Sequence, residues 1–404
     1  MSVNIQQILS KNALNMRRSS IRDLLSVITS PDVISFGGGF PNAETFPVEE
    51  LKQIMMDIMN ECPAKALQYS TTEGHPGLRK ELAKMVKRTQ GVDVDIKNIL
   101  ITTASQQALD LVARIFVDPG DTVLCELPSY LGALQAIYAE QGEPVGFKNY
   151  DEMDKVITDL TAQGRKPKYI YLVPDFRNPS GTTMTLEERK LALEVARKHD
   201  MIIIEDSPYR DIRFEGEPVP TILSLDTDGR VVQLGTFSKT FVPGFRIGWV
   251  IGPDEVINRL IVGKQCSDLC TPIMSQMIAE RYLASGHFDK NLVKIADLYR
   301  TKKSKMISAL ERYMPKGVEW TNPEGGLFLL VSLPEQLSTL DLFNIAIKED
   351  VAFVLGTSFY CDGGGQNSMR LNFSYASDEK IDEGICRLAN AVKKLYEEKG
   401  YKAE

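Results

Sequence analysis

The sequence predicts an α/β protein in which a large domain carries a mostly parallel sheet between helices and a smaller α+β domain follows. Three observations carry this expectation. Short apolar runs alternate with helical segments between about residues 99 and 260. The C-terminal third breaks that alternation and reads as strands separated by long loops. A length of 404 residues suits two or three folding units, or one large α/β unit with an appendage.

In chain order, residues 1–46 read as an N-terminal arm that packs with the small domain and contains Gly37-Gly38-Gly39-Phe40-Pro41 as a turn. Strands are expected at Ile99–Thr102, Thr122–Glu126, Tyr169–Val173, Met201–Glu205, Val231–Leu234 and Ile247–Ile251. These runs are short and rich in β-branched residues, which suits strands covered on both faces. Helical segments such as Gln107–Phe116 and Leu186–His199 lie between the earlier ones, giving a βα repeat and hence a parallel sheet. Next come a long helix over Phe288–Met314, strands at Gly317–Trp320, Gly325–Leu333, Ala352–Leu355 and Arg370–Phe373, and helices over Leu340–Glu349 and Asp378–Glu398. The expected units are therefore the arm, a large domain over 47–300 and a small domain over 301–404.

Composition narrows the function classes. Hydrophobic residues make up 43% and charged residues 25%, ordinary globular usage that excludes a disordered or coiled-coil chain. The balance of 47 Lys+Arg against 54 Asp+Glu gives −7, which argues against a nucleic-acid partner. No apolar run nears the roughly 18 residues that cross a bilayer, and the start lacks a leader's apolar stretch, so a cytoplasmic protein without a membrane partner is expected. Six cysteines without short regular spacing read as reduced thiols. Cys266 and Cys270 could share a helix face, but two thiols without further ligands make no metal site. Of the three histidines, His199 reads as a solvated helix end. No G-x-S-x-G nucleophile elbow occurs, so acid–base work falls to another residue type.

In parallel sheets, ligands sit at the carboxyl ends of the strands. After Ile99–Thr102, Ala104-Ser105-Gln106 opens a helix, which is either an anion site or plain capping by Thr103 or Ser105. Tyr130 follows the next strand, where packing would also explain it. Asn178-Pro179-Ser180-Gly181 follows the third, and is also turn chemistry. Met201–Glu205 ends at Asp206-Ser207-Pro208-Tyr209, where Glu205 or Asp206 is either an exposed loop acid or a buried carboxylate with a raised pKa. Past Val231–Leu234 comes Thr236-Phe237-Ser238-Lys239, a lysine in a small-residue loop where a desolvated, nucleophilic amine would be wanted. Arg246 stands before the last strand.

Taken together, these strand ends resemble the fold-type I pyridoxal-phosphate enzymes of the aspartate aminotransferase superfamily, class I/II. The resemblance runs from about Ile21 to Asn390, and is most specific at Asn178-Pro179-Ser180-Gly181, Asp206-Ser207-Pro208-Tyr209 and Ser238-Lys239 followed by Arg246. Ile21-Arg22, Ser35-Phe36-Gly37-Gly38-Gly39-Phe40-Pro41-Asn42 and Leu67-Gln68-Tyr69-Ser70 look most like the aminoadipate/kynurenine aminotransferase subgroup. The resemblance implies a seven-stranded sheet in the large domain, which binds pyridoxal 5′-phosphate, and a homodimer.

It also implies residue roles. Lys239 forms the internal aldimine and later shuttles the proton between the substrate α-carbon and the cofactor C4′. Asp206 pairs with the pyridinium nitrogen, and Tyr209 and Asn178 bond the phenolic oxygen. Tyr130 stacks on the ring. Ser105, Gln106, Ser238 and Arg246 hold the phosphate, with Tyr69 reaching it from a second subunit. Arg370 clamps the substrate α-carboxylate, while Gly39, Asn178 and Arg22 border the substrate, and the Gly-rich loop Phe359–Gln366 closes over it.

The implied reaction is a ping-pong exchange between an L-amino acid (aminoadipate, aromatic or branched-chain) and a 2-oxo acid such as 2-oxoglutarate. The alternatives are a lyase or decarboxylase on the same fold, and a ligand-sensing regulator, for which the roughly 46 residues before the large domain are too few to form a DNA-binding domain. Three departures stand out. Ala104 replaces a frequent Gly, Thr236 a usual Ser, and Pro174-Asp175-Phe176-Arg177 brings charges where smaller or aromatic residues are common.

Overall fold

The computed structural model describes residues 3–15 and 32–402; Arg17, Arg18, Ile21 and Arg22 lie outside the described residues. Thirteen strands can be followed: β1 Ile34–Ser35, β2 Ile99–Thr103, β3 Thr122–Glu126, β4 Glu143–Phe147, β5 Tyr169–Leu172, β6 Ile202–Asp206, β7 Val231–Thr236, β8 Ile247–Ile251, β9 Glu319–Trp320, β10 Phe328–Ser332, β11 Val351–Ala352, β12 Val354–Leu355 and β13 Ser368–Asn372. Seven of them form the large sheet in the order β2-β8-β7-β6-β5-β3-β4. Its central strands are buried on both faces, which is why they read as continuous apolar runs.

Two features of this sheet depart from the simple βα reading. Strand β8 runs antiparallel to both β2 and β7. Only residues 237–246 connect β7 to β8, too few for the crossover of a dozen or more that a parallel pair needs. Strand β4 is an addition that periodicity does not signal, since Glu143-Pro144-Val145-Gly146-Phe147 is half-exposed and holds a proline. It lies at the sheet edge, where a missing backbone donor is tolerated.

The four-stranded sheet β12-β13-β10-β9 is antiparallel throughout. Helices His287–Tyr313 and Asp378–Lys399 share an apolar core with it, around Tyr299, Leu329, Leu371 and Leu388. The first of these helices is continuous through residue 300, so a boundary drawn there falls inside a helix.

The arm joins this region. β1 pairs in parallel with β11, and the Asn372 N–H donates to the Phe36 carbonyl at 2.9 Å. Beyond β1 the expected turn is not formed: no turn is assigned at residues 36–40, Gly37, Gly38 and Gly39 all lack positive φ, and the Gly37 and Gly38 carbonyls accept from Arg370 on β13. Among the described residues, no helix is long and apolar enough to cross a membrane.

Candidate active site

At the carboxyl ends of β5, β6 and β7 the chain encloses a cavity of about 870 Å³. Ser105, Gln106, Tyr130, Asn178, Asp206, Tyr209, Ser238, Lys239, Arg246, Arg370 and Gly39 all line it. Of the two remaining candidates, only Tyr69 is described. Tyr69 is 80% exposed and not among the lining residues, and Arg22 lies outside the described residues.

Asp206 is the last residue of β6 and is buried. The Tyr171 hydroxyl, one strand away on β5, donates to its Oδ2 at 2.8 Å, while its Oδ1 has no partner among the described residues. Burial pushes this carboxyl up to about 7 against the lowering effect of Tyr171. Tyr171 was not singled out from sequence. The one available signal was a phenol inside an otherwise apolar strand, since a buried Tyr hydroxyl usually needs a partner.

Lys239 follows β7 in a loop held by Thr236, whose hydroxyl lies 2.9 Å from Ser238 Oγ and 3.0 Å from the Ile247 carbonyl. The hydroxyl that stands for the usual Ser is thus in use. Lys239 Nζ donates to the Gly39 carbonyl at 2.7 Å. Burial, helped by the charges of Arg370 and Arg246, lowers its pKa to about 8.

Arg370 sits in β13 and is buried. Its NH2 donates to the carbonyls of Gly37 at 2.6 Å and Gly38 at 3.3 Å, and its NH1 to Asn178 Oδ1 at 3.0 Å. The guanidinium carbon lies 4.2 Å from the Phe328 ring centroid and 5.4 Å from that of Phe359, so aromatic faces fix its plane. Burial lowers its pKa to about 10. Phe328 also meets Tyr209 edge-on at 5.7 Å, and Asn178 Nδ2 lies 3.4 Å from the Tyr209 hydroxyl. Burial raises the Tyr209 phenol well above its usual range.

The helix Ala104–Phe116 opens toward the cavity from a turn in which Ala104 holds φ 58°. That is the left-handed region, which explains why glycine is the more frequent residue at such a turn. Strand β8 crosses so closely that a Cβ on Gly248 would lie 2.5 Å from the Ala104 carbonyl carbon. Arg246 is exposed at the cavity edge, and its carbonyl accepts the Ala104 N–H at 3.0 Å.

Several sequence readings are corrected here. Glu205 is no loop acid; it is buried and accepts the N–H groups of Ile222 and Leu223, each at 2.9 Å. The charges of residues 174–177 turn away from the cavity. Asp175 pairs with fully buried Arg189 at 2.8 Å, and Arg177 with buried Glu126 at 2.6 Å. His199 is not a solvated helix end, because its ring bonds Asp154 at 2.7 Å with the side chain 13% exposed. Cys266 caps the helix Asp254–Gln265 and Cys270 lies beyond it, so they share no helix face.

The family model for aminotransferase class I and II matches residues 31–388. The chain is 42% identical to aromatic-amino-acid aminotransferase 1 of Thermococcus litoralis over 97% of its own length and 95% of that protein's. It is 38% identical to the 2-aminoadipate transaminase of Thermus thermophilus, over 95% of this chain and 96% of the other. The crystal structure of Pyrococcus horikoshii kynurenine aminotransferase superposes with a TM-score of 0.93 at 42% identity, covering 97% of this chain and 98% of that one. The chain therefore belongs to the class I and II aminotransferases, and it is a transaminase that works with pyridoxal phosphate.

Proposed function

We propose that Lys239, Asp206 and Tyr209 are the catalytic residues of this transaminase and that Arg370 binds the substrate α-carboxylate. The observation that carries this reading is the gathering of a lysine amine, an unpaired buried carboxyl oxygen and a buried guanidinium around one cavity. These groups fit pyridoxal phosphate. Ser105, Gln106, Ser238 and Arg246 offer donors and charge for the phosphate, Asp206 Oδ1 awaits a ring N–H, and Tyr130 supplies a face for the ring.

When bound, the cofactor supplies an aldehyde and a ring able to take up the electron pair left at the substrate α-carbon. The protein's own groups do the rest. With a pKa near 8, a substantial fraction of Lys239 is neutral in mildly alkaline solution, so it can take the proton from the substrate α-carbon. Asp206 would hold a proton at the ring nitrogen. Asn178 and Tyr209 would hydrogen-bond the ring's oxygen. Arg370, its plane set by Phe328 and Phe359, would grip the substrate carboxylate and so would hold that group against loss. This favours transamination over decarboxylation.

The donor subsite is walled by Phe40, Leu131 and Phe328, which suits aromatic and branched-chain amino acids. Arg22 would read the distal carboxylate of aminoadipate, and 2-oxoglutarate is the proposed acceptor. The relatives named for aromatic amino acids, 2-aminoadipate and kynurenine support that range. The same reading makes the enzyme a homodimer, with the exposed Tyr69 completing its neighbour's phosphate site, and places it in the cytoplasm, in keeping with its free thiols.

The test mixes the cofactor-loaded enzyme with single amino acids and follows the change in cofactor absorbance. Aminoadipate, phenylalanine, kynurenine or leucine should convert the cofactor to its amine form, and 2-oxoglutarate should reverse it with formation of glutamate. Release of carbon dioxide or ammonia without glutamate would favour the lyase or decarboxylase instead.

A further inference from the structure

Lys264 is a fully buried lysine outside the cavity lining. It stands in the last turn of the helix Asp254–Gln265 and makes two bonds through Nζ, to Asp268 Oδ1 and to Gln107 Oε1, each 2.7 Å. Burying an ammonium is costly unless it is well paired, so this arrangement needs a reason. Both partners lead to the same residue. Gln107 Oε1 also accepts the Thr103 N–H at 2.8 Å, and Asp268 Oδ2 accepts the Thr103 hydroxyl at 2.7 Å. Closing the helix end would require only Asp268, four residues on. The convergence on Thr103 is additional.

Thr103 is the last residue of β2 and directly precedes Ala104, whose left-handed backbone aims the start of the next helix at the cavity. A residue held at φ 58° against its own preference stays there only if its surroundings over-determine it. The Arg246 carbonyl fixes the Ala104 N–H from one side, and the Lys264 cluster fixes Thr103 from the other. Ser105 and Gln106 come next in the chain.

We propose that Lys264 is a positioning residue for the phosphate of the cofactor: through Gln107 and Asp268 it locks Thr103, and thereby the turn that presents Ser105 and Gln106. This rests on the reading that Ser105 and Gln106 hold that phosphate. The mechanism requires no contact between Lys264 and the phosphate. Its effect is on the geometry of donors, and it should appear for any ligand carrying a phosphate and for none lacking one.

The test uses the full chain freed of cofactor. Affinities are measured by fluorescence for pyridoxal phosphate and for pyridoxal, and inorganic phosphate is measured by competition against pyridoxal phosphate. Lys264→Met should weaken pyridoxal phosphate and inorganic phosphate alike by about ten- to a hundredfold, the range lost with hydrogen bonds to a charged group, and leave pyridoxal unchanged. Thr103→Val removes the hydroxyl's links to Asp268 and to Thr271 and leaves Lys264 with both its partners, so it stays informative if Lys264→Met fails to fold. It should weaken the same two ligands by roughly three- to tenfold. Ser105→Ala separates the two levels of the argument. If it weakens inorganic phosphate while Lys264→Met and Thr103→Val do not, the positioning role is overturned and the site reading survives. If Ser105→Ala leaves inorganic phosphate binding untouched, both fall. Equal losses for pyridoxal and pyridoxal phosphate would also overturn the proposal, because they would report general damage.

Discussion

Asp206 and Lys239 are displaced toward neutrality from opposite directions, and burial is the main cause of both shifts. For Asp206 the consequence reaches beyond chemistry. Its carboxyl titrates at about 7 in the folded chain against 3.8 for a free side chain, so between those values the folded state keeps a proton that the unfolded state has released. The Asp206 contribution to the stability of the cofactor-free protein should therefore fall as pH rises from about 4 to about 7, by roughly 1 kcal/mol per pH unit. Asp206→Asn should remove that slope, and urea unfolding at several pH values measures it. Identical slopes in the wild type and the variant would assign the proton to another group. The residue scale was partly legible beforehand. Asp206, Lys239 and Arg370 stand in recognisable local strings, whereas Tyr171 and Phe328 act only through neighbours on other strands.

At the scale of elements, the join between β2 and the helix Ala104–Phe116 shows local preference overruled by its setting. Alanine in the left-handed region costs roughly 1–2 kcal/mol, and glycine gives back about 0.5–1 kcal/mol of that in chain entropy. Ala104→Gly should thus stabilise the cofactor-free protein by about 0.5–1 kcal/mol, measured from the urea midpoint at constant slope. A loss of stability would show that the Ala104 methyl, buried in this turn, contributes packing that outweighs its strain. The direction of β8 belongs to the same scale. The short connection from β7 dictates an antiparallel pair, and chain length alone could have shown it. Edge strand β4 is different: its pairing with β3 is a property of the sheet, and its composition carries no trace of it.

Across the whole molecule, the arm ties the parts of the site together. The carbonyls of Gly37 and Gly38 accept from Arg370, and that of Gly39 accepts from Lys239, so one three-residue run spans the guanidinium and the amine. Tyr69, 80% exposed and not among the cavity-lining residues, is proposed to complete the site of a second copy. Subunit mixing tests this. Tyr69→Ala and Lys239→Ala are each expected to be nearly inactive alone. Refolded together, the hybrid holds one site with Lys239 from one subunit and Tyr69 from the other, restoring about a quarter of the wild-type sites if pairing is random. No recovery, with hybrids demonstrated by mass, would mean that Tyr69 serves its own chain or none.

By itself the sequence determined the layered α/β plan and the strand ends whose side chains gather at the cavity. Those features depend on local composition and on short strings such as Ser238-Lys239 and Asn178-Pro179-Ser180-Gly181. Tertiary structure alone decided which charges face the cavity. Asp175, Arg177 and Glu205 lie as close in sequence to site residues as any candidate, yet all three are satisfied elsewhere by Arg189, Glu126 and the Ile222–Leu223 amides. The physical reason is that a buried charge takes whichever partner the packing brings to it, and such partners are distant in the chain.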